Sequence, residues 1–405
     1  MKDNRGFTII ELMVSIAIFS LMITGMTIAL MQQQKHFKLT ATAVDMDETG
    51  RSALDFISSE IRIAGARQGK TFALTFVNGG SQPGAPCAAV NTTDAGTVDS
   101  PPDCIAIITW DITRGMQGGV LPSVVSSVEV IQSAPTLVLQ LPNLWFPPAG
   151  QLLNGDSVTP PTPPTLLGFR SRANLCSPNS GVDCSGNIKD CSDCGVVLRV
   201  STVNTGSQTA EIAGSVDRII AQNFQNTAYA SFSDFITNDF VRLIVGQFSE
   251  MSIVKATTFS VNSTTHELQI EQDLNGVIDY LAGGSNAPGI MDLQLVFNLQ
   301  DSDGGITKVG VPTVAVDRRF SDFGADPSLV GRQKDISTVE IYLLVRSEIR
   351  PQKITTGGRV GVKTITQLGD RLTRMTDHAS LGEGFIYRIY TTTVYLRNLA
   401  TEQFG

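Results

Sequence analysis

A single carboxylate, Glu11, stands in an otherwise uncharged apolar run, FTIIELMVSIAIFSLMITGMTIALM, from Phe7 to Met31. At mid-bilayer such a group costs about 2.5–3.5 kcal/mol, so it calls for a counter-ion. A second set of reactive groups is sulfur. The stretch CSPNSGVDCSGNIKDCSDC holds Cys176, Cys184, Cys191 and Cys194, and Cys87 and Cys104 flank a loop rich in Gly, Pro and Asn. Zinc sites usually show two close cysteine pairs, and only Cys191/Cys194 is one. In an exported chain two disulfides are the favoured reading of the four, with metal binding and redox activity as alternatives and the connectivity open. Cys87 and Cys104 are expected to pair with each other. A third set is oxygen. QDLNGVIDY and QDSDGG offer Asp273, Asn275, Asp279, Asp301 and Asp303. Alternating Asp and Asn with Gly is calcium-loop chemistry, but neither stretch has EF-hand spacing, and Asp or Asn beside Gly is the ordinary chemistry of turns. Calcium is therefore the weaker reading, and no metal is assigned.

Three histidines are present, His36, His266 and His378. No H-E-x-x-H, G-x-S-x-G, Walker A or G-x-G-x-x-G pattern accompanies them. His36 and His266 are expected at the surface. The chain is read as a non-enzyme without cofactor. Arg346, Glu348 and Arg397 lie on strands that are otherwise apolar; strand-edge ion pairs, a subunit contact and edge charges that block aggregation all fit them.

Two kinds of element must carry these groups. The chain has 405 residues, 42% hydrophobic and 17% charged, with a net charge of −8. That charge argues against nucleic acid as a partner. From Phe7 to Met31 a helix would run about 37 Å, enough to cross a hydrocarbon core of about 30 Å. Lys2 and Arg5 precede it and set the N-terminus in the cytoplasm by the positive-inside rule. Residues 32 to 64 contain no proline, and Leu54, Ile57, Ile61 and Ala64 recur at helical spacing, with Gly65 as a stop. The pattern predicts one helix whose first half is bare and whose second half packs an apolar stripe on a sheet. After Gly65 the runs turn to strands: TFALTFV, CIAIITWD, TLVLQL, GVVLRVSTV, FVRLIVG, HELQIEQ, MDLQLVFNL, TVEIYLLVRS and YRIYTTTVYLRN. The predicted class is α+β, a long N-terminal helix with its second half on a largely antiparallel β-sheet domain carrying loop insertions. Residues 142–194 hold eight of the 18 prolines and four of the six cysteines. They are expected to form a surface insertion tied down by disulfides.

Three explanations of the N-terminus compete. A secretory signal peptide has a shorter apolar stretch and an A-x-A-like cleavage site. A plain anchor leaves Glu11 unexplained. A class III leader is cut after a glycine ahead of the apolar run, and GFTIIELMVSIAIF resembles the N-terminus of type IV pilins and pseudopilins. The resemblance implies cleavage between Gly6 and Phe7 by a prepilin peptidase and N-methylation of Phe7. It also implies a role for Glu11 in assembly, through pairing with the freed amine of its own or a neighbouring subunit. GRSALDFISSEIRIAGA, GIMDLQLVFNLQDSDGG, VEIYLLVRSE and YRIYTTTVYLRN are similar to blocks of PilW-type minor pilins, relatives of the J-type minor pseudopilin of type II secretion.

This resemblance implies a leader 1–6, a transmembrane half 7–31, an outer helix half 32–65 and a periplasmic or extracellular domain 66–405. The subunit would sit in the bacterial inner membrane as a single pass with its C-terminus in the periplasm, and then in the pilus. It would help prime assembly and occupy the tip, with minor and major pilins and the inner-membrane assembly platform as partners. A pseudopilin of type II secretion and a tip adhesin are the alternatives. Many major pilins carry a proline in the apolar half; this chain has none there, and Gly25 is its only weak helix former of that kind.

Overall fold

The computed structural model describes residues 8–64, 74–77, 102–110, 121–122, 128–131, 136–140, 165–170, 195–204, 206–207, 209–213, 219–223, 250–262, 265–272, 278–284, 287–300, 304–309, 335–348 and 386–396. One helix, α1 (Ile9–Ile63), is followed by antiparallel strands in three sheets. The helix is 55 residues long, about 82 Å at 1.5 Å per residue. No proline interrupts it, Thr8 caps its start, and Ala64 ends it in an extended conformation.

The first sheet runs β1 (Leu74–Val77), β2 (Cys104–Trp110), β11 (Glu250–Asn262), β6 (Leu166–Arg170), β7 (Gly195–Arg199), β10 (Ile219–Asn223), with β3 (Leu121–Pro122), β12 (Glu267–Gln272) and β13 (Ile278–Gly283) attached through β11 and β12. The second runs β15 (Ile306–Val309), β14 (Gly289–Gln300), β16 (Ile336–Arg346), β17 (Tyr387–Tyr395). The third runs β4 (Val128–Ile131), β5 (Thr136–Gln140), β9 (Thr209–Ala213), β8 (Thr202–Asn204). The class is α+β, as the sequence predicts.

The core forms where the outer half of the helix meets the first two sheets. Met46, Gly50, Ala53, Leu54, Ile57, Ser58 and Ile61 are buried at spacings of three and four, so they share one face of the helix. Leu293, Leu295, Phe297 and Leu299 of β14 join the same cluster. Val339, Ile341, Leu343 and Val345 of β16 and Ile105, Ile107 and Phe259 of the first sheet join it as well. Phe56 meets Phe259 edge to face, with ring centroids 5.8 Å apart. Ile108 of β2 belongs instead to a second cluster with Leu166, Val197, Val254 and Ala256. The first sheet is thus apolar on both faces, which explains why CIAII is a continuous rather than an alternating run.

Asp103 joins the two large sheets. Its N–H donates to the Leu293 carbonyl at 2.8 Å, and its carboxylate accepts from the Leu295 N–H at 2.8 Å. The residue is fully buried, and it continues the line of β2 along the edge of β14.

Three expectations need correcting. The stretch 142–194 is not only a surface insertion: β6 lies between β11 and β7, and Leu166, Leu167 and Phe169 are completely buried. Burial of three large side chains outweighs what the flanking prolines suggest. GVVLRVSTV is not one strand. Val200 donates to Thr165 and Ser201 to Glu211, so the chain leaves the first sheet for the third at that point. Arg346 is not on an edge strand, because β16 is paired on both sides, with Gly289 and Tyr387 opposite Arg346. FVRLIVG lies outside the described residues.

Candidate functional site: the bare half of the helix

From Ile9 to Lys38 every residue of the helix is exposed, and Leu39 is the first to be partly covered. The exposed side chains include Ile9, Leu12, Ile16, Phe19, Leu21, Ile23, Ile28 and Met31. This segment is long and apolar enough to cross a membrane. Its hydroxyls are compatible with that. Ser15 donates to the Glu11 carbonyl at 2.6 Å, Ser20 to Ile16 at 2.8 Å, Thr24 to Ser20 at 2.8 Å and Thr27 to Ile23 at 2.8 Å. Each satisfies itself on the preceding turn and needs no water.

Glu11 stands at the head of this segment. One of its oxygens, Oε2, accepts from the Thr8 N–H at 3.0 Å and from the Thr8 hydroxyl at 3.0 Å. The Thr8 hydroxyl in turn accepts from the Glu11 N–H at 3.3 Å. This is a reciprocal capping box. It satisfies donors that would otherwise face lipid, and it puts a negative charge at the positive end of the helix dipole. The carboxylate therefore sits at the rim of the apolar segment, about 3 Å along the axis from its start at Ile9, where its cost is well below the mid-bilayer figure. Both bonds land on Oε2; Oε1 accepts none among the described residues. The role of Thr8 was missed from sequence, although the signal T-x-x-E is present as Thr8-Ile9-Ile10-Glu11.

Farther along, the helix is clasped to β17. Asp47 Oδ1 accepts from the Tyr390 hydroxyl at 2.6 Å and from the Arg388 guanidinium. The hydrogen bond from Tyr390, then that from Arg388, hold the Asp47 carboxyl below the usual carboxylate range. Burial, and then the bond to Asp47, push the Tyr390 hydroxyl up to about 12. One turn on, the Tyr390 ring lies against Gly50. A Cβ there would come within 2.5 Å of two ring carbons, so only glycine lets the ring lie flat on the helix. On the far face of the second sheet Glu340 accepts from Lys308 at 2.8 Å, Asn298 at 3.0 Å and Tyr342 at 2.7 Å. Burial opposes its ionisation, but these three donors keep its carboxyl below the ordinary value.

The other sequence candidates scatter. Gly6 and Phe7 lie outside the described residues, as do Cys87, Cys176, Cys184, Cys191, Cys194, Asp273, Asn275, Asp301, Asp303, His378 and Arg397. Cys104, at the start of β2, is disulfide-bonded, and its partner is also outside them. Asp279 lies on β13 opposite Ile270, exposed, rather than in a loop. Among the described residues no three His, Cys, Asp or Glu side chains group as metal ligands. His36 is exposed on the helix, and Glu348 is exposed just past β16. His266 differs from expectation. It is half-buried at the β11–β12 turn with φ of 57°, and its carbonyl accepts from Ile290 of β14 at 2.8 Å. Burial, then the nearby Arg346, lower its pKa.

Residues 1–27 match the family described as the prokaryotic N-terminal methylation motif. Among solved structures, the type IV-like pilin TTHA1219 from Thermus thermophilus is 15% identical over 36% of this chain and 70% of its own, with a TM-score of 0.20. At that score the likeness supports no comparison of folds. No curated protein matches the chain significantly. The N-terminus is thus of prepilin type, and it opens an apolar helix suited to anchor the chain in a membrane. Behind that helix lie the antiparallel sheets.

Proposed function

We propose that the protein is a minor pilin of the PilW type, cut between Gly6 and Phe7 by a prepilin peptidase and methylated on Phe7. The reading is supported above all by a helix that is bare from Ile9 to Lys38 and docked from Leu39 onward. So large an apolar surface needs a neighbour at all times. Lipid serves before assembly; afterwards the helices of other minor and major pilins replace it, delivered by the inner-membrane platform. Glu11 fits the handover. Its free oxygen, at the rim of the bilayer, is available to a terminal amine, and an unpaired charge in that setting is costly enough to enforce one axial stagger. The domain emerges on the periplasmic side. It is bulky for a repeating shaft unit, and so suits a place at the filament tip and a part in priming assembly. The proposed disulfide partner of Cys104 is Cys87.

N-terminal mass analysis of the protein from sheared pili tests this. A mature chain beginning with methylated Phe7 is expected. A chain in pili that keeps its first six residues overturns the proposal.

A further inference from the structure

We infer that Lys35 and Lys38 hold the phosphates of anionic phospholipids on the membrane face from which the folded domain emerges; this rests on the reading of the bare helix half as membrane-embedded. Length is the first observation. The bare stretch from Ile9 to Lys38 is about 45 Å long, and a bilayer with its headgroups is about 40–45 Å thick. The apolar run ends at Met31, so Gln32 to Lys38 cover about 10 Å, the depth of a headgroup layer. Leu39, the first partly covered residue, then brings the domain to the membrane surface.

Charge is the second observation. Between Gln32 and Val44 the only Lys, Arg, Asp or Glu side chains are Lys35 and Lys38, and the next is Asp45. The chain as a whole carries −8, so this window is cationic against the trend of the molecule. Neither lysine has an ion pair or a hydrogen-bond partner among the described residues. Three residues apart, they project from one side of the helix, and the Phe37 ring between them in sequence is 74% exposed on another side. Their stems can lie along acyl chains while the ammonium groups reach phosphate. The favourable field near an anionic surface corresponds to about a fivefold preference per lysine.

The full chain reconstituted in phosphatidylcholine vesicles with trace spin-labelled lipid provides the test. Electron paramagnetic resonance reads how much of each label the protein immobilises. Phosphatidylglycerol is expected to be preferred to phosphatidylcholine. In the Lys35→Gln/Lys38→Gln variant the preference should fall at least about fivefold, leaving the part due to Lys2 and Arg5. The Lys35→Arg/Lys38→Arg variant should keep it, and high salt should weaken it. An unchanged preference in the glutamine variant overturns the inference. If that variant also fails to enter pili, the lysines serve an acidic partner subunit instead. Absence of immobilised lipid of either kind overturns the membrane-embedded reading itself.

Discussion

Gly50 and Tyr390 offer a test in which one substitution changes sign with its background. Gly50 lies within the helix, where alanine is favoured over glycine by about 1 kcal/mol. A Cβ at this position meets Tyr390 Cδ2 and Cε2 at 2.5 Å and Cγ at 2.8 Å. The ring must retreat by about 1 Å to restore ordinary contact, yet its hydroxyl is held by Asp47 at 2.6 Å. Overpacking of this kind costs about 1–3 kcal/mol. Gly50→Ala alone should therefore destabilise by about 0–2 kcal/mol. With the ring removed by Tyr390→Ala, the same change should stabilise by about 1 kcal/mol. The coupling between the two sites is then about 1–3 kcal/mol, well within reach of a double-mutant cycle. Denaturant unfolding of the full chain in one fixed detergent, followed by the fluorescence of its two tryptophans, measures it. If Gly50→Ala moves stability in the same direction and by the same amount in both backgrounds, the ring does not rest on the glycine and the clasp described here is wrong.

Glu11→Gln separates the capping by that residue from its proposed pairing with a terminal amine. Glutamine serves a capping box as well as glutamate, so membrane levels should hold while the amount recovered in sheared pili collapses; wild-type recovery would show that the charge is not used. Ile57→Ala, at a fully buried site, should cost about 2–5 kcal/mol. Ile18→Ala, on the bare half, should stay within about 0.5 kcal/mol, and equal losses by thermal unfolding would contradict the division of the helix. Asp47 has a lowered folded-state pKa, so its contribution is present above its unfolded value of about 3.9 and fades as pH falls through the folded one. Between about pH 5 and pH 3 the wild type should lose stability faster than Asp47→Asn; parallel melting curves would rule out the clasp as an acid-sensitive contact.

Much of this architecture is visible in the residues themselves, and the failures have physical causes. The helix was legible end to end because an uninterrupted apolar run leads into a stripe, Leu54, Ile57, Ile61 and Ala64, that the structure buries. The strands β2, β14, β16 and β17 were legible from dense β-branched and aromatic content. β11 was not. Its EMSIVKATTFSVN has polar residues at uneven spacing, and Thr257 and Thr258 are buried in succession, which only cover on both faces of the sheet explains. β6 was hidden by its setting, since prolines precede it and cysteines follow, and local composition does not report that a five-residue segment fills a gap between β11 and β7. The break between β7 and β8 is invisible in a run as uniformly β-forming as VVLRVSTV, because a turn from one sheet to another is decided by distant partners. At the site, Glu11 was found as an anomaly of charge. Thr8 was overlooked because a threonine at the edge of an apolar run attracts no notice until its hydroxyl is seen meeting the carboxylate.

The stitch made by Asp103 bears on how the molecule comes into being. Its partners, Leu293 and Leu295, emerge from the ribosome nearly two hundred residues later, and Tyr390, which clasps the helix at Asp47, follows Asp47 by 343 residues. The early sheet cannot be completed before β14 is made, nor the cover of the outer helix half before β17 is made. Such long-range closure is slow, so hydrophobic surface stays open until β17 arrives. Removal of β17 should therefore be felt first as degradation, because it leaves that surface without cover.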